Sequence, residues 1–310
     1  MSPRGVTDLD SAVRTAAFGF LEEHAVAHGD SISWATMLRG FQFRGERVVL
    51  ASQQGIFKPR ILSDYPISVR TTASKPGQPR PYDDGFQEDG TVTYKYRGSD
   101  PAFYQNVWLR RAMIDRVPLI YFHGTVPGRY IAAWPVYVIG DEPEQLTFRI
   151  DVDGRQTPSL ASPDQVAEPG LARRYAAVTT RRRLHQQAFR DRVLTAYREH
   201  CAVCRLRHVE LLDAAHIIPD RDPEGEPRVS NGLSLCKLHH AAFDQQLFGI
   251  NPDLQIAVAS AVLEERDGPM LRHGLQEIDG SRLLIPGRAE WMPDTSALER
   301  RYAEFLQATE

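Results

Sequence analysis

Three cysteines occur in the chain, at 201, 204 and 236. Cys201-x-x-Cys204 makes one two-residue knuckle, and Cys236-x-x-His239 makes a second. A knuckle of this length lets both donors point at one ion. Two of them supply three thiolates and one imidazole, a tetrahedral structural zinc set. Three unrelated buried thiols are the alternative, but the doubled spacing and the histidine in the fourth place favour the metal. A second group is threaded through the first: Asp213, His216, Asn231 and His240. On a helix His240 lies about 100° around from His239. One imidazole can therefore close the zinc site while its neighbour faces elsewhere. Asp244, four residues on, shares the helical face of His240.

Short elements must position these groups. Val209 to Ile217 is apolar-rich and predicts a strand ending near His216. Pro219 and the polar run from Asp220 to Arg228 predict a loop, and Leu233-Ser234-Leu235 a second short strand. Strand, loop, strand and helix make a ββα unit. Over roughly 201–250 the chain resembles the HNH nuclease family, also called the ββα-metal fold. The features that carry the resemblance are the order His, Asn, His, the nine residues from Asn231 to His240, and the interleaved knuckles.

That resemblance implies a division of labour. His216 would be the general base that activates water, and Asn231 would constrain the loop and help to orient it. His240 would bind a catalytic divalent cation that stabilises the phosphorane-like charge and the leaving oxygen. Many relatives carry Asp or His directly before the base as a second metal ligand, whereas Ala215 stands there in this chain. Asp213, on the same strand face as Ala215, and Asp244 are the two candidates to replace it. Asp213 also suits the role of a partner that orients a histidine. Mg²⁺ or Mn²⁺ would accept mixed His and carboxylate ligation.

The chain has 310 residues, enough for two ordinary domains, with 42% hydrophobic and 25% charged residues, as expected of a folded soluble protein. No run of 18 apolar residues exists, so no membrane span is expected. The first residues show no apolar signal-peptide core, and a cytoplasmic location is the expectation. Thiolates used for zinc agree with a reducing compartment. The net charge of −3 does not announce a nucleic-acid binder. Locally the balance differs: eight arginines lie from Arg173 to Arg198, against Asp191 as the one acid. Clusters rather than the global sum set phosphate contacts. A helix from about Thr180 to His200, bearing Arg181, Arg182 and Arg183, is expected to track the DNA backbone.

Upstream the chain is strand-rich. Ser11 to His28 reads as an amphipathic helix and Ser33 to Leu38 as a second short one. Strands are expected at Phe41–Phe43 and Arg47–Ala51, around a turn at Arg44-Gly45-Glu46. Others are expected near 69–72, 91–96, 119–122, 130–139 and 146–152, with a helix over 105–117. A stretch rich in Pro, Ser, Asp and Gly from Asp153 to Gly170 reads as a linker. The expected division is a domain over 1–155, a linker over 156–179 and the nuclease domain over 180–310.

Within the first domain, Pro81-Tyr82-Asp83-Asp84-Gly85 precedes Tyr94-Lys95-Tyr96-Arg97-Gly98. This pairing resembles the pocket motif of SRA domains, PUA-like folds that flip 5-methylcytosine out of duplex DNA. The resemblance implies that Tyr82 and Tyr96 stack the extruded base and that Asp84 accepts from the cytosine N4 amine, with Asp83 and Tyr94 as alternatives. The fold expected is therefore α+β: an SRA-like curved sheet or open barrel with helices, joined to a zinc-knuckled ββα-metal domain. The function expected is a DNA endonuclease acting on duplexes that carry 5-methylcytosine or 5-hydroxymethylcytosine. One such site cuts one strand, so a homodimer is also expected. Two rivals are an HNH nuclease whose first domain reads sequence, structure or another modification, and a catalytically silent zinc-containing DNA-binding protein.

Overall fold

A computed structural model describes residues 7–73, 91–152, 185–266 and 268–309. The chain divides into two compact units between Gln187 and Ala188. The expected linker over 156–179 lies outside the described residues.

In the first unit, helix α1 (Asp8–His28) begins where the Thr7 hydroxyl accepts the Asp10 N–H. Its buried residues, Asp10, Val13, Arg14, Ala17 and Leu21, fall on one face. Asp10 and Arg14 carry charge into that face, paired at 2.5 Å, and Arg14 also donates to the carbonyls of Pro66 and Pro118. Burial lowers the Arg14 pKa, but the guanidinium is not left without partners. Strand β1 (Ser31–Ser33) leads into helix α2 (Trp34–Arg39), capped by the Ser33 hydroxyl. Strands β2 (Phe41–Phe43) and β3 (Glu46–Val48) form a hairpin. Its turn residues Arg44 and Gly45 take φ of 50° and 82°, the backbone hand that matches strand twist.

The main sheet contains β4 (Ile56–Phe57), β5 (Ser68–Thr71), β6 (Thr91–Lys95), β7 (Leu119–Val126), β8 (Arg129–Glu142) and β9 (Thr147–Asp151). Its strand order is β4-β5-β7-β8-β9-β6, with β1 added on β8. The β5–β7 pair is parallel and the others are antiparallel. β8 is the long strand: its start pairs with β7, its end pairs with β9, and the β9 register shifts between Val138 and Gly140. Around it the sheet curls into a half-barrel. Helix α3 (Tyr104–Ile114) buries Leu109 and Ala112 in a core with Val92, Tyr121, Val136 and Phe148. β1 and β4, at three and two residues, are too short for alternation to reveal.

The second unit begins within helix α4, described over 185–196, and continues with β10 (Leu212–His216), β11 (Gly232–Cys236) and helix α5 (Lys237–Asp244). Next come β12 (Phe248–Ile250), β13 (Ile256–Val258), α6 (Ser260–Glu264), α7 (Pro269–Gly274) and α8 (Thr295–Thr309). The ββα unit is thus β10, β11 and α5. Its first strand starts later than the sequence suggested, because Val209–Leu211 forms a 3₁₀ turn. β11 ends at Cys236, opposite Leu212, and the chain there turns directly into α5, so residues 209–211 have no strand to pair with. Gly249 on β12 lets α8 approach: a Cβ there would lie 2.5 Å from the Phe305 ring. The architecture is α+β, as expected. No helix among the described residues is long and apolar enough to cross a membrane.

Candidate active site and zinc cluster

The two knuckles meet. Ligand atoms of Cys201, Cys204, Cys236 and His239 all lie within 4.8 Å of one another. Cys236 ends β11 and His239 sits in the first turn of α5, so the strand-to-helix junction aims both at Cys201 and Cys204. His239 Nδ1 lies 3.1 Å from Cys236 Sγ and 3.5 Å from Cys201 Sγ. Its other nitrogen, Nε2, donates to the Gly274 carbonyl at 2.8 Å. That hydrogen bond fixes the tautomer that leaves Nδ1 free to ligate, as is usual for metal-binding histidines.

Hydrogen bonds with Cys201 and Cys204 hold the Cys236 thiol far below its ordinary range, while those with Cys201 and Cys236 push the Cys204 thiol up. Burial would depress His239, but its hydrogen bonds with Cys201 and Cys236 outweigh that and push it up to about 10. Thiols this close cannot all ionise without a positive charge among them. The donor set fits Zn²⁺.

The second constellation lies on the other face of α5. His240 Nδ1 is 3.5 Å from Asp213 Oδ2, and its Nε2 is 3.4 Å from Asp244 Oδ2. The hydrogen bond with Asp213 raises the His240 pKa, against its burial. Asp213 also receives Lys237 Nζ at 3.1 Å and has Arg190 Nε at 3.7 Å. Burial would raise the Asp213 carboxyl, but its hydrogen bonds with His240 and Lys237 hold it well below the usual carboxylate range. Asp244 is about half exposed, and His240 is its one ion-pair partner among the described residues.

His216 ends β10, directly opposite Gly232 on β11. Burial lowers its pKa, with Asp220 opposing. Its Nε2 is buried with no hydrogen-bond partner among the described residues. Asn231 does not take up that nitrogen. Its side chain instead grips the backbone just past His216, accepting from Ile218 N–H at 2.9 Å and donating to Ile218 O at 3.0 Å and Glu226 O at 3.1 Å. The Asn231 carbonyl also accepts from Ile217 N–H at 2.9 Å. This one buried amide ties together both ends of the loop between the strands.

Residues 201–251 match the sequence model of the HNH endonuclease family. This stretch is an HNH endonuclease domain. Among solved structures the chain is similar to a "Modification dependent TagI restriction endonuclease", at 15% identity over 78% of this chain and 82% of that one. The TM-score is 0.28, too low to equate the two architectures. No curated protein sequence matches the chain.

Several residues that contact the two sites carry no motif that reveals them. Phe189 on α4 stacks on His216, with ring centroids 4.1 Å apart and planes at 19°. Lys237 approaches Asp213, and Gly274 orients His239. The apolar positions Phe189, Val193 and Ala196 mark a buried helix face, but that pattern cannot say which side chain it meets. The arginine-rich stretch is also partly internal. Arg190 donates to the Val209 and Leu212 carbonyls, and Arg192 to those of Ala188 and Pro227. Arg181, Arg182 and Arg183 lie outside the described residues.

In the first unit, Tyr82 and Asp84 also lie outside the described residues. Tyr96 is buried: its ring stacks on Phe148 at 4.5 Å, and its hydroxyl donates to Asp141 and accepts from Arg110. Burial and then the Asp141 hydrogen bond raise its pKa. Tyr96 helps line a cavity of about 200 Å³, with Arg70 and Thr71 on one wall and Tyr94 and Lys95 on the other. Those walls belong to β5 and β6, which are consecutive strands in the sequence.

Proposed function

We propose that the protein is a divalent-metal-dependent DNA endonuclease whose first domain reads a modified cytosine. The observation that carries the nuclease mechanism is the grouping of His240 with Asp213 and Asp244, on a ββα unit that also ends a strand in His216. His216, neutral at physiological pH, accepts the proton of a water whose oxygen attacks phosphorus. The phosphorus–O3′ bond breaks, leaving a 5′ phosphate and a 3′ oxyanion that takes its proton from solvent water. Mg²⁺ or Mn²⁺ on His240 would supply charge stabilisation at the leaving oxygen.

The hydrogen-bond pattern favours one answer to the ligand left open by Ala215. Asp213 is engaged by His240 Nδ1 and has Lys237 and Arg190 close by, which suits an orienting partner of the imidazole. Asp244 faces the other nitrogen and is solvent-accessible, which suits a ligand. Asn231 maintains the loop that presents His216.

The reader is proposed as SRA-like, its base site being the cavity between β5 and β6 together with Tyr82 and Asp84. Tyr94 and Tyr96 both line it, and the Tyr96 ring also stacks on Phe148 in the core. Double-strand cleavage then takes two protomers or two events. The test is cleavage of matched duplexes with cytosine, 5-methylcytosine or 5-hydroxymethylcytosine, with Mg²⁺ or Mn²⁺. Modified duplexes are expected to be cut preferentially. Equal cutting of all three removes the reader and leaves the nuclease, and no cutting with either metal removes the nuclease.

A further inference from the structure

We propose that Phe189 is the positioning residue of the His216 base, holding its imidazole by a face-to-face stack; this rests on His216 acting as the base. A catalytic imidazole is ordinarily oriented by a hydrogen bond at the nitrogen that does not take the proton. His216 Nε2 is buried with no such partner among the described residues. The ring must be held another way. Phe189 lies 4.1 Å from it, centroid to centroid, with the planes only 19° apart. Rotation of the imidazole about its Cβ–Cγ bond would drive an edge into the phenyl face, so the stack restricts the dihedral that decides where the free nitrogen points.

The surroundings are shaped for this contact. Phe189 is buried on α4, and its neighbour Arg190 donates to the carbonyls of Val209 and Leu212, which pins α4 to the start of the strand that ends in His216. Gly232 is the direct cross-strand partner of His216. A Cβ at Gly232 would lie 2.8 Å from Phe189 Cζ and 2.4 Å from Val193 Cγ2. Any larger residue there pushes the phenyl ring off its seat. The glycine, the phenyl ring and the arginine anchor form one device, with the imidazole edge as its output.

The test uses the full chain with two variants. Phe189→Met keeps apolar bulk but removes the aromatic face; Gly232→Ala keeps the ring but displaces it. Readouts are single-turnover cleavage, KM for DNA, zinc content, and the His216 imidazole proton resonances, which the phenyl ring current shifts upfield. Both variants are expected to lose about ten- to a hundredfold in kcat, the scale of a misplacement near 1 Å. KM and zinc are expected to hold while the resonances move downfield. A kcat within about twofold of the parent, with the resonances moved, overturns the proposal. Loss of zinc in both variants also overturns it, since Phe189 would then be a folding residue. His216→Ala, run beside them, isolates the parent reading: if it cleaves at the parental rate, His216 is not the base, whatever Phe189 does.

Discussion

Asn231→Ala isolates the loop clamp. The Asn231 side chain is 1% exposed and makes three hydrogen bonds, all to main-chain atoms. Truncation removes all three and strands the Ile218 N–H and C=O. An intramolecular hydrogen bond contributes about 1 kcal/mol net, but a buried group left without a partner costs about 1–3 kcal/mol. Two stranded groups at one residue give about 2–6 kcal/mol, lost where β10 leaves His216. Asn231→Asp is the sharper probe. It keeps an acceptor for Ile218 N–H but turns an anionic oxygen towards the Ile218 and Glu226 carbonyls, 3.0 and 3.1 Å away in the parent. Aspartate is therefore expected to do no better than alanine. The assay is the urea midpoint of the full chain, hydrogen exchange at the Ile218 amide, and single-turnover cleavage. Both variants should lose protection at Ile218 and fall in rate. An Asn231→Asp protein with the parental midpoint and parental Ile218 protection would refute the reasoning, because it would show that the two donated bonds hold nothing.

Other predictions follow from the same geometry. Asp244→Asn should raise the half-activating Mg²⁺ or Mn²⁺ concentration more than about tenfold, since an anionic ligand is lost. Asp213→Asn, which keeps an acceptor for His240 Nδ1, should change it much less, and cation titrations of cleavage check both. The base must be neutral to accept a proton, and burial lowers the His216 pKa. The cleavage rate should therefore persist as pH falls through 6.5 and drop only below it, where His216 protonates; an acid limb centred above 6.5 counts against His216 as the base.

How much of this was legible in the sequence depended on whether contacts were local. The knuckles were readable because each pair of donors is two residues apart, and chain geometry does the rest. The separation of His239 from His240 followed from helix periodicity: one ring meets Cys201 and Cys236, the other Asp213 and Asp244. Asn231 was expected to constrain the loop, but its three main-chain partners depend on the loop path and could not be read. Phe189 was invisible for a different reason. It reaches His216 from 27 positions upstream through helix-on-sheet packing, and nothing local distinguishes it from any core phenylalanine. The arginine run shows the opposite failure. Composition suggested phosphate contacts for the run, centred on Arg181, Arg182 and Arg183 outside the described residues, whereas Arg190 and Arg192 spend donors on backbone carbonyls. In the first unit, the Arg44-Gly45-Glu46 run announced the β2–β3 turn, but the parallel β5–β7 pairing spans 52 residues and leaves no local trace.

Helix α5 links the two centres, and this makes metal removal informative. It has eight residues, only about two turns, far below the length at which an isolated helix is stable in water. Its packing supplies Ala242 and Phe243 to the core, but its first turn is held by the Cys236–His239 knuckle. His240 is the next residue, so whatever frees His239 also frees His240 from Asp213 and Asp244. The Cys3His cluster and the proposed hydrolytic centre should therefore fail together, although they use different residues. Removal of zinc by a strong chelator, followed by dialysis into Mg²⁺, should leave a protein that does not cleave. Zn²⁺ added back under reducing conditions before Mg²⁺ should restore cleavage. Cys236→Ser should behave like the chelated protein and resist restoration. If the zinc-free protein regains the parental rate with Mg²⁺ alone, the knuckle does not hold α5 in register, and His240 is positioned by core packing instead.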